Sequence, residues 1–122
     1  MSKLHSTQKS FKYAFEGIKL TYRNEPNFRI QLVLAILSTI LGIFLKISQI
    51  EWLILIIIIF VVLLLELINS SIEALVDLIS PEKNEKAKIA KDTAAGAVLV
   101  ASILSLIIGI VLFLPKITIF LN

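Results

Sequence analysis

The hydrophobic and polar positions of this chain change pattern abruptly at residue 66. From 52 to 65 no side chain is polar, and then Glu66, Asn69, Glu73 and Asp77 follow at steps of three, four and four, with Ser70 beside them. That spacing puts one acidic stripe on one face of a helix, while Leu67, Ile68, Ile72, Leu75 and Val76 cover the others. If the helix enters a bilayer at Trp52, a rise of about 1.5 Å per residue places Glu66 about 21 Å deep and Glu73 about 31 Å deep, against a hydrocarbon core of about 30 Å. Glu66 is then buried in the membrane and Glu73 stands at its far interface. An acidic side chain near mid-bilayer costs about 2.5 to 3.5 kcal/mol to insert. Glue between helices is worth about 0.6 kcal/mol on average and usually comes from uncharged groups. A functional role for Glu66 is the default expectation.

The same periodicity organises the rest of the chain. Phe11, Ala14, Phe15, Ile18 and Tyr22 fall on one side of a helix over 1–23, and Lys9, Lys12, Glu16, Lys19 and Arg23 on the other. This predicts an amphipathic helix lying in the membrane interface. Asn24-Glu25-Pro26 breaks it, with Asn24 the expected N-cap of the next helix, Pro26 tolerated in its first turn and Glu25 at the membrane surface. Residues 27–46 form a first span, 50–79 a long second helix of about 45 Å, and 85–114 a third that contains the last span. Pro115 is expected to close that helix. Ala90 and Ala94, and again Ala97 and Ala101, are small residues four apart, which predicts close helix approach there.

Composition agrees: of 122 residues 57% are hydrophobic and 17% charged, with a mean hydropathy of +0.93. The expectation is one all-α, membrane-integral domain over 1–122. There is no cysteine, and His5, the single histidine, is poorly placed for a ligand site, so any metal is held by oxygen. The segment 1–23 is too polar for a secretory signal. Basic residues gather in it and in the 81–91 connection, against Lys46 and Lys116 on the other side. The expected N-terminus is therefore cytoplasmic, in a cytoplasmic (inner) membrane.

Glu25, Glu73, Lys91 and Asp92 then share the cytoplasmic interface, with Glu66 beneath them. Two water-facing carboxylates without soft ligands suit Mg²⁺, and Glu25 and Glu73 are the candidate pair. Lys91 is placed to meet phosphate oxygens. Glu66 lies where the hydroxyl of a lipid alcohol would sit and is the candidate general base, with Asn69 to orient it or the substrate. No Walker or protein-kinase glycine-rich loop occurs. A small proton- or cation-coupled transporter is the alternative, because it too uses intramembrane acids, but the apolar run 52–65 offers it no onward path.

The runs Asn24-Glu25-Pro26-Asn27-Phe28-Arg29, Glu66 through Asp77, and Ala90-Lys91-Asp92-Thr93-Ala94-Ala95-Gly96 resemble the bacterial membrane-integral diacylglycerol kinase family, which includes undecaprenol kinases. The resemblance covers nearly the whole chain. It implies a homotrimer of three-span subunits with an N-terminal surface helix and sites at subunit interfaces. The implied activity is ATP-dependent phosphorylation of a lipid alcohol with Mg²⁺. It implies Glu66 as proton acceptor, Glu25 and Glu73 as metal ligands, and Tyr13, Glu82, Lys83, Asn84, Lys91 and Asp92 as nucleotide contacts alongside that pair, with Asn69 and Ala95 near the lipid. Gln31 stands where some members carry an acidic residue.

Overall fold

The computed structural model describes residues 3–122, with side chains from Ser6 onward; His5 lies outside the described side chains. Four helices make up the chain: α1 (Lys3–Asn24), α2 (Pro26–Phe44), α3 (Gln49–Ile79) and α4 (Glu85–Leu121). The last three are long and apolar enough to cross a membrane. At about 1.5 Å per residue, α3 and α4 reach about 46 and 55 Å, so both extend past a hydrocarbon core of about 30 Å.

The inner surface is narrow. α3 and α4 pack most extensively, through Leu55, Ile58, Val62, Ala101, Leu112 and Phe113, joined by Ile47 from the α2–α3 connection, and α2 leans on α3, with Phe28 and Gly42 buried. Most large apolar side chains point outward while Glu66 and Asn69 point inward, the inverse of a protein whose solvent is water. On α1, Phe11, Phe15, Ile18 and Tyr22 are exposed, and Thr21 alone among its described residues is buried. An uncovered apolar face next to a span suits the interface position predicted for it.

Asn24 does not cap α2. It is the last residue of α1, and Glu25 is the extended N-cap, donating its N–H to Thr21 O at 2.9 Å. Arg29 explains the shift: its Nη1 donates to Tyr22 O at 2.7 Å and Arg23 O at 2.9 Å, satisfying the terminal carbonyls of α1 and drawing that helix one residue further. The α1–α2 elbow is thereby clamped from the α2 side.

At the opposite end, Lys46 adopts φ 53°, Lys46 N–H donates to Ile43 O and Ile47 N–H donates to Gly42 O, each at 3.2 Å. This is a Schellman stop, closed here without the usual glycine. Gly42 is instead reserved for contact: a Cβ there would lie 2.9 Å from Trp52 Cη2 and 3.0 Å from Ile47 Cδ1. Ser48 then opens α3 with a capping box, exchanging bonds with Glu51 at 3.3 and 3.2 Å.

Pro115 does not close α4, which continues through it to Leu121. The turns beyond are held by their neighbours. Lys116 Nζ meets Glu51 Oε2 at 3.0 Å, Ile117 packs on the core, and the Phe120 ring meets Phe44 edge-on at 5.2 Å. Thr118 Oγ1 donates to Leu114 O at 2.9 Å beside the interrupted ladder. The small-residue run at the start of α4 is only partly an inner contact: Ala101 is buried, but a Cβ on Gly96 would meet nothing within 4 Å.

Candidate active site

The stripe foreseen on α3 is continuous and faces α2 and α4. Glu66 is 1% exposed and is the only side chain among the described residues buried below 2%. From the second turn of α2, Gln31 Nε2 donates to Glu66 Oε2 at 3.2 Å, the one side-chain bond between helices that reaches this carboxylate among the described residues. Gln31 Oε1 and Asn69 Oδ1 are buried with no partner among the described residues. Both side chains line a cavity of about 340 Å³, together with Glu66, Asn27, Ala95 and Ser102. Buried amide oxygens without partners carry a desolvation penalty of about 1 to 3 kcal/mol each, so the cavity suits a ligand that brings hydrogen-bond donors.

A larger groove of about 700 Å³ shares Gln31, Leu34 and Ser102 with this cavity and continues past Leu41, Leu55 and Phe113. Its serines are turned to their own helices: Ser38 donates to Ala35 O at 3.0 Å, Ser102 to Val98 O at 2.8 Å and Ser105 to Ser102 O at 2.7 Å. The wall they leave is apolar and fits a hydrocarbon chain rather than a path for ions.

One and a half to two turns nearer the membrane surface, Glu73 and Glu25 form a second level. Glu25 makes no side-chain cap bond, and Glu73 has no ion pair or hydrogen bond among the described residues. Partial burial raises the Glu25 carboxyl above its ordinary range, and the charges of Glu73 and then Glu66 push it the same way. Neither carboxylate has an ion-pair partner among the described residues, and an oxygen-only donor set of this kind fits a hard divalent cation. No group of three or more His, Asp or Glu forms a ready cage among the described residues. Two protein carboxylates leave most coordination positions to water and phosphate, which is how Mg²⁺ is commonly held.

The remaining sequence candidates are distributed around this centre. Lys91 crosses from α4 to form an ion pair with Asp77 on α3 and also lies within electrostatic reach of Glu73. Asp92 pairs with Lys88 at 2.6 Å, one turn back on its own helix. Asn84 is the N-cap of α4, its Oδ1 accepting from Lys86 N–H at 2.8 Å and Ala87 N–H at 3.3 Å, so only its amide nitrogen is left for another partner. Glu82 and Lys83 are exposed in the α3–α4 connection, and Tyr13 is exposed on α1, about 18 Å along that helix from Glu25. The single chain brings Glu25, Glu66, Glu73 and Lys91 together; it does not bring Tyr13 to them.

Two residues of the site were named in the sequence reading but given no role there. Asp77 was visible as the end of the stripe, but its pairing with Lys91 joins two helices across a connection. Gln31 is separated from Glu66 by 35 residues, and only its polarity inside a span marked it.

Comparison with known proteins identifies the family. The family model of prokaryotic diacylglycerol kinase matches residues 12–113. The chain is 45% identical over 108 residues to an undecaprenol kinase of Bacillus subtilis, covering 88% of each chain. It is 36% identical over 105 residues to a diacylglycerol kinase of Haemophilus influenzae, covering 85% of this chain and 89% of that one. With a diacylglycerol kinase of Escherichia coli K12 it shares 34% over 99 residues, 81% of each. With three membrane-length helices, a buried carboxylate and an open acidic pair above it, this multi-pass membrane chain belongs to the prokaryotic diacylglycerol kinase family, a family of membrane lipid kinases.

Proposed function

We propose that the protein transfers the γ-phosphoryl group of ATP to the hydroxyl of a membrane lipid alcohol, either diacylglycerol or undecaprenol. The observation that carries this reading is the two-level site. A fully buried carboxylate faces a cavity open to an apolar groove, and two unpaired carboxylates stand about 10 Å above it, where a charged nucleotide can reach.

In this reading the lipid hydroxyl occupies the lower cavity and its tail the groove. Glu66 accepts the hydroxyl proton as the lipid oxygen forms a bond to the γ-phosphorus and the bond from that phosphorus to the β–γ bridging oxygen breaks, releasing ADP. Gln31 holds the Glu66 carboxylate toward the cavity, and Asn69 offers its amide to the substrate. Glu25 and Glu73 would hold Mg²⁺, which when bound draws negative charge from the phosphoryl oxygens. Lys91 adds a positive charge at the same level, and phosphoryl transfer depends largely on such positioning and charge stabilisation. Tyr13, Glu82, Lys83, Asn84 and Asp92 complete the nucleotide contacts. A homotrimer with sites at subunit interfaces brings the α1 helix of a second copy within reach, which accounts for the distance of Tyr13 from its own chain's cluster. The nucleotide approaches from the cytoplasm, where the basic residues of α1 and the 81–91 connection lie.

The test is a purified-protein assay with MgATP and equal mole fractions of undecaprenol and diacylglycerol in mixed micelles. Phosphorylation of both is expected, because hydrophobic walls discriminate weakly. Glu66→Gln should abolish nearly all turnover while leaving ATP binding in place. ATP binding without transfer to either alcohol, or near-normal turnover of Glu66→Gln, would sink the assignment. A preference beyond about a thousandfold, or about 4 kcal/mol, would require a polar contact to one headgroup.

A further inference from the structure

The upper level sets two carboxylates of α3 near one ammonium of α4. Glu73 and Asp77 lie four residues apart on the same face of α3, and Lys91 of α4 stands opposite both. The ammonium bonds to Asp77, and Glu73 is left without a partner among the described residues. The neighbouring cation, Lys88, is directed along its own helix to Asp92. One turn of helix thus separates the carboxylate that takes the lysine from the one that stays open.

We propose that Asp77 is a positioning residue for the metal–nucleotide site, holding Lys91 off Glu73 so that Glu73 remains free for the cation. This rests on the reading of Glu73 as a metal ligand. An ammonium on Glu73 would compete with a divalent cation for the same oxygens. Asp77 supplies that ammonium with another anion a single helical turn away. When phosphate arrives, Lys91 needs only to exchange one exposed partner for another, because its pair with Asp77 lies at the surface, with the two side chains 37% and 64% exposed. Exposed pairs of this kind are weak and are exchanged readily.

The experiment compares wild type, Asp77→Asn, Asp77→Glu and the double variant Asp77→Asn/Lys91→Met. Binding of Mn²⁺, alone and with a non-hydrolysable ATP analogue, is followed by water-proton relaxation, which does not require turnover. The Mg²⁺ concentration for half-maximal activity is measured alongside. In Asp77→Asn, Lys91 turns to Glu73, and both the metal dissociation constant and the half-saturating Mg²⁺ should rise about threefold to fivefold, the equivalent of up to about 1 kcal/mol. Asp77→Glu should restore them. In the double variant the competitor is gone, so affinity for Mn²⁺ alone should return toward wild type even though nucleotide binding and turnover stay low. A double variant as weak for metal as Asp77→Asn, or an Asp77→Asn protein with wild-type metal affinity, overturns the proposal and leaves the metal pair standing. Failure of the wild-type protein to bind Mn²⁺ with the analogue would overturn both.

Discussion

Replacing Gln31 with leucine tests whether the lower level works as a unit. The substitution nearly preserves size and removes the single side-chain donor that reaches Glu66 from another helix among the described residues, a bond of 3.2 Å to a carboxylate that is 1% exposed. Hydrogen bonds to charged groups are worth about 1.5 to 3 kcal/mol, and water cannot easily replace this one at such burial. If the carboxylate must be held in place in the transition state, the whole of that difference appears in kcat/KM for the lipid alcohol. The expected loss is about 10- to 150-fold. Gln31 lines the lower cavity and has no bond to Glu25, Glu73 or Lys91, so KM for MgATP and nucleotide affinity should change less than twofold. The assay is steady-state phosphorylation in mixed micelles with each substrate varied separately, with thermal unfolding as the control for folding. A correctly folded Gln31→Leu protein that keeps more than half of wild-type kcat/KM for the lipid would refute the view that this bond positions the base.

Further outcomes concern the upper level and the fold. Glu25→Gln and Glu73→Gln should each raise the Mg²⁺ needed for half activity, and the double variant should be about as impaired as the worse single, since groups sharing one ion act together. Additive losses at constant Mg²⁺ affinity would assign them separate roles. Because burial and like charge raise the folded-state Glu25 carboxyl above the ordinary value of 4.5, the folded protein holds that proton more tightly than the unfolded chain. The contribution is therefore present at acid pH and lost as pH rises through the raised value. Metal-free thermal unfolding compared at about pH 5 and pH 8 should show a decline in wild type that is smaller in Glu25→Gln; equal declines would deny the repulsion. Gly42→Ala places a methyl group 2.9 Å from Trp52 Cη2 and should destabilise by about 1 to 3 kcal/mol in denaturant titrations, with lipid kinase activity of the folded fraction retained because Gly42 is far along α2 from Gln31. An unchanged midpoint would mean the indole moves aside at no cost.

The spans and the acidic stripe were legible because both depend on local spacing, and a polar side chain in a membrane-length apolar run has few readings. The limits of α1, α2 and α4 were less so. Asn24 reads as a cap only if nothing else satisfies the end of α1, and Arg29 does so from the next helix. Pro115 reads as a stop only in an isolated helix, whereas here Lys116 pairs with Glu51 at the start of α3, Phe120 meets Phe44 at the end of α2 and Ile117 packs on the core, which holds the following turns. At the site, the residue types expected for acid–base and cation chemistry fell where the stripe put them. What composition and period could not supply was pairing: Gln31 with Glu66 and Asp77 with Lys91 are decided by how the helices lie against one another. The same holds for Asn84, whose oxygen is used to start α4.

The depth of Glu66 also bears on how the product leaves. In the proposed reaction a neutral hydroxyl enters a dry, apolar place and departs as a phosphate ester carrying about one and a half to two negative charges. Such a headgroup is strongly disfavoured beside the Glu66 carboxylate and among hydrocarbon walls, and it gains hydration with every ångström it moves outward. The interface lies about 10 Å away along α3, one level up. The headgroup therefore leaves first and the tail last, so the groove that receives the hydrocarbon chain can keep hold of the molecule after chemistry has finished. Longer tails should then slow release more than they speed phosphoryl transfer, making the hydrocarbon chain a brake on turnover rather than only an anchor.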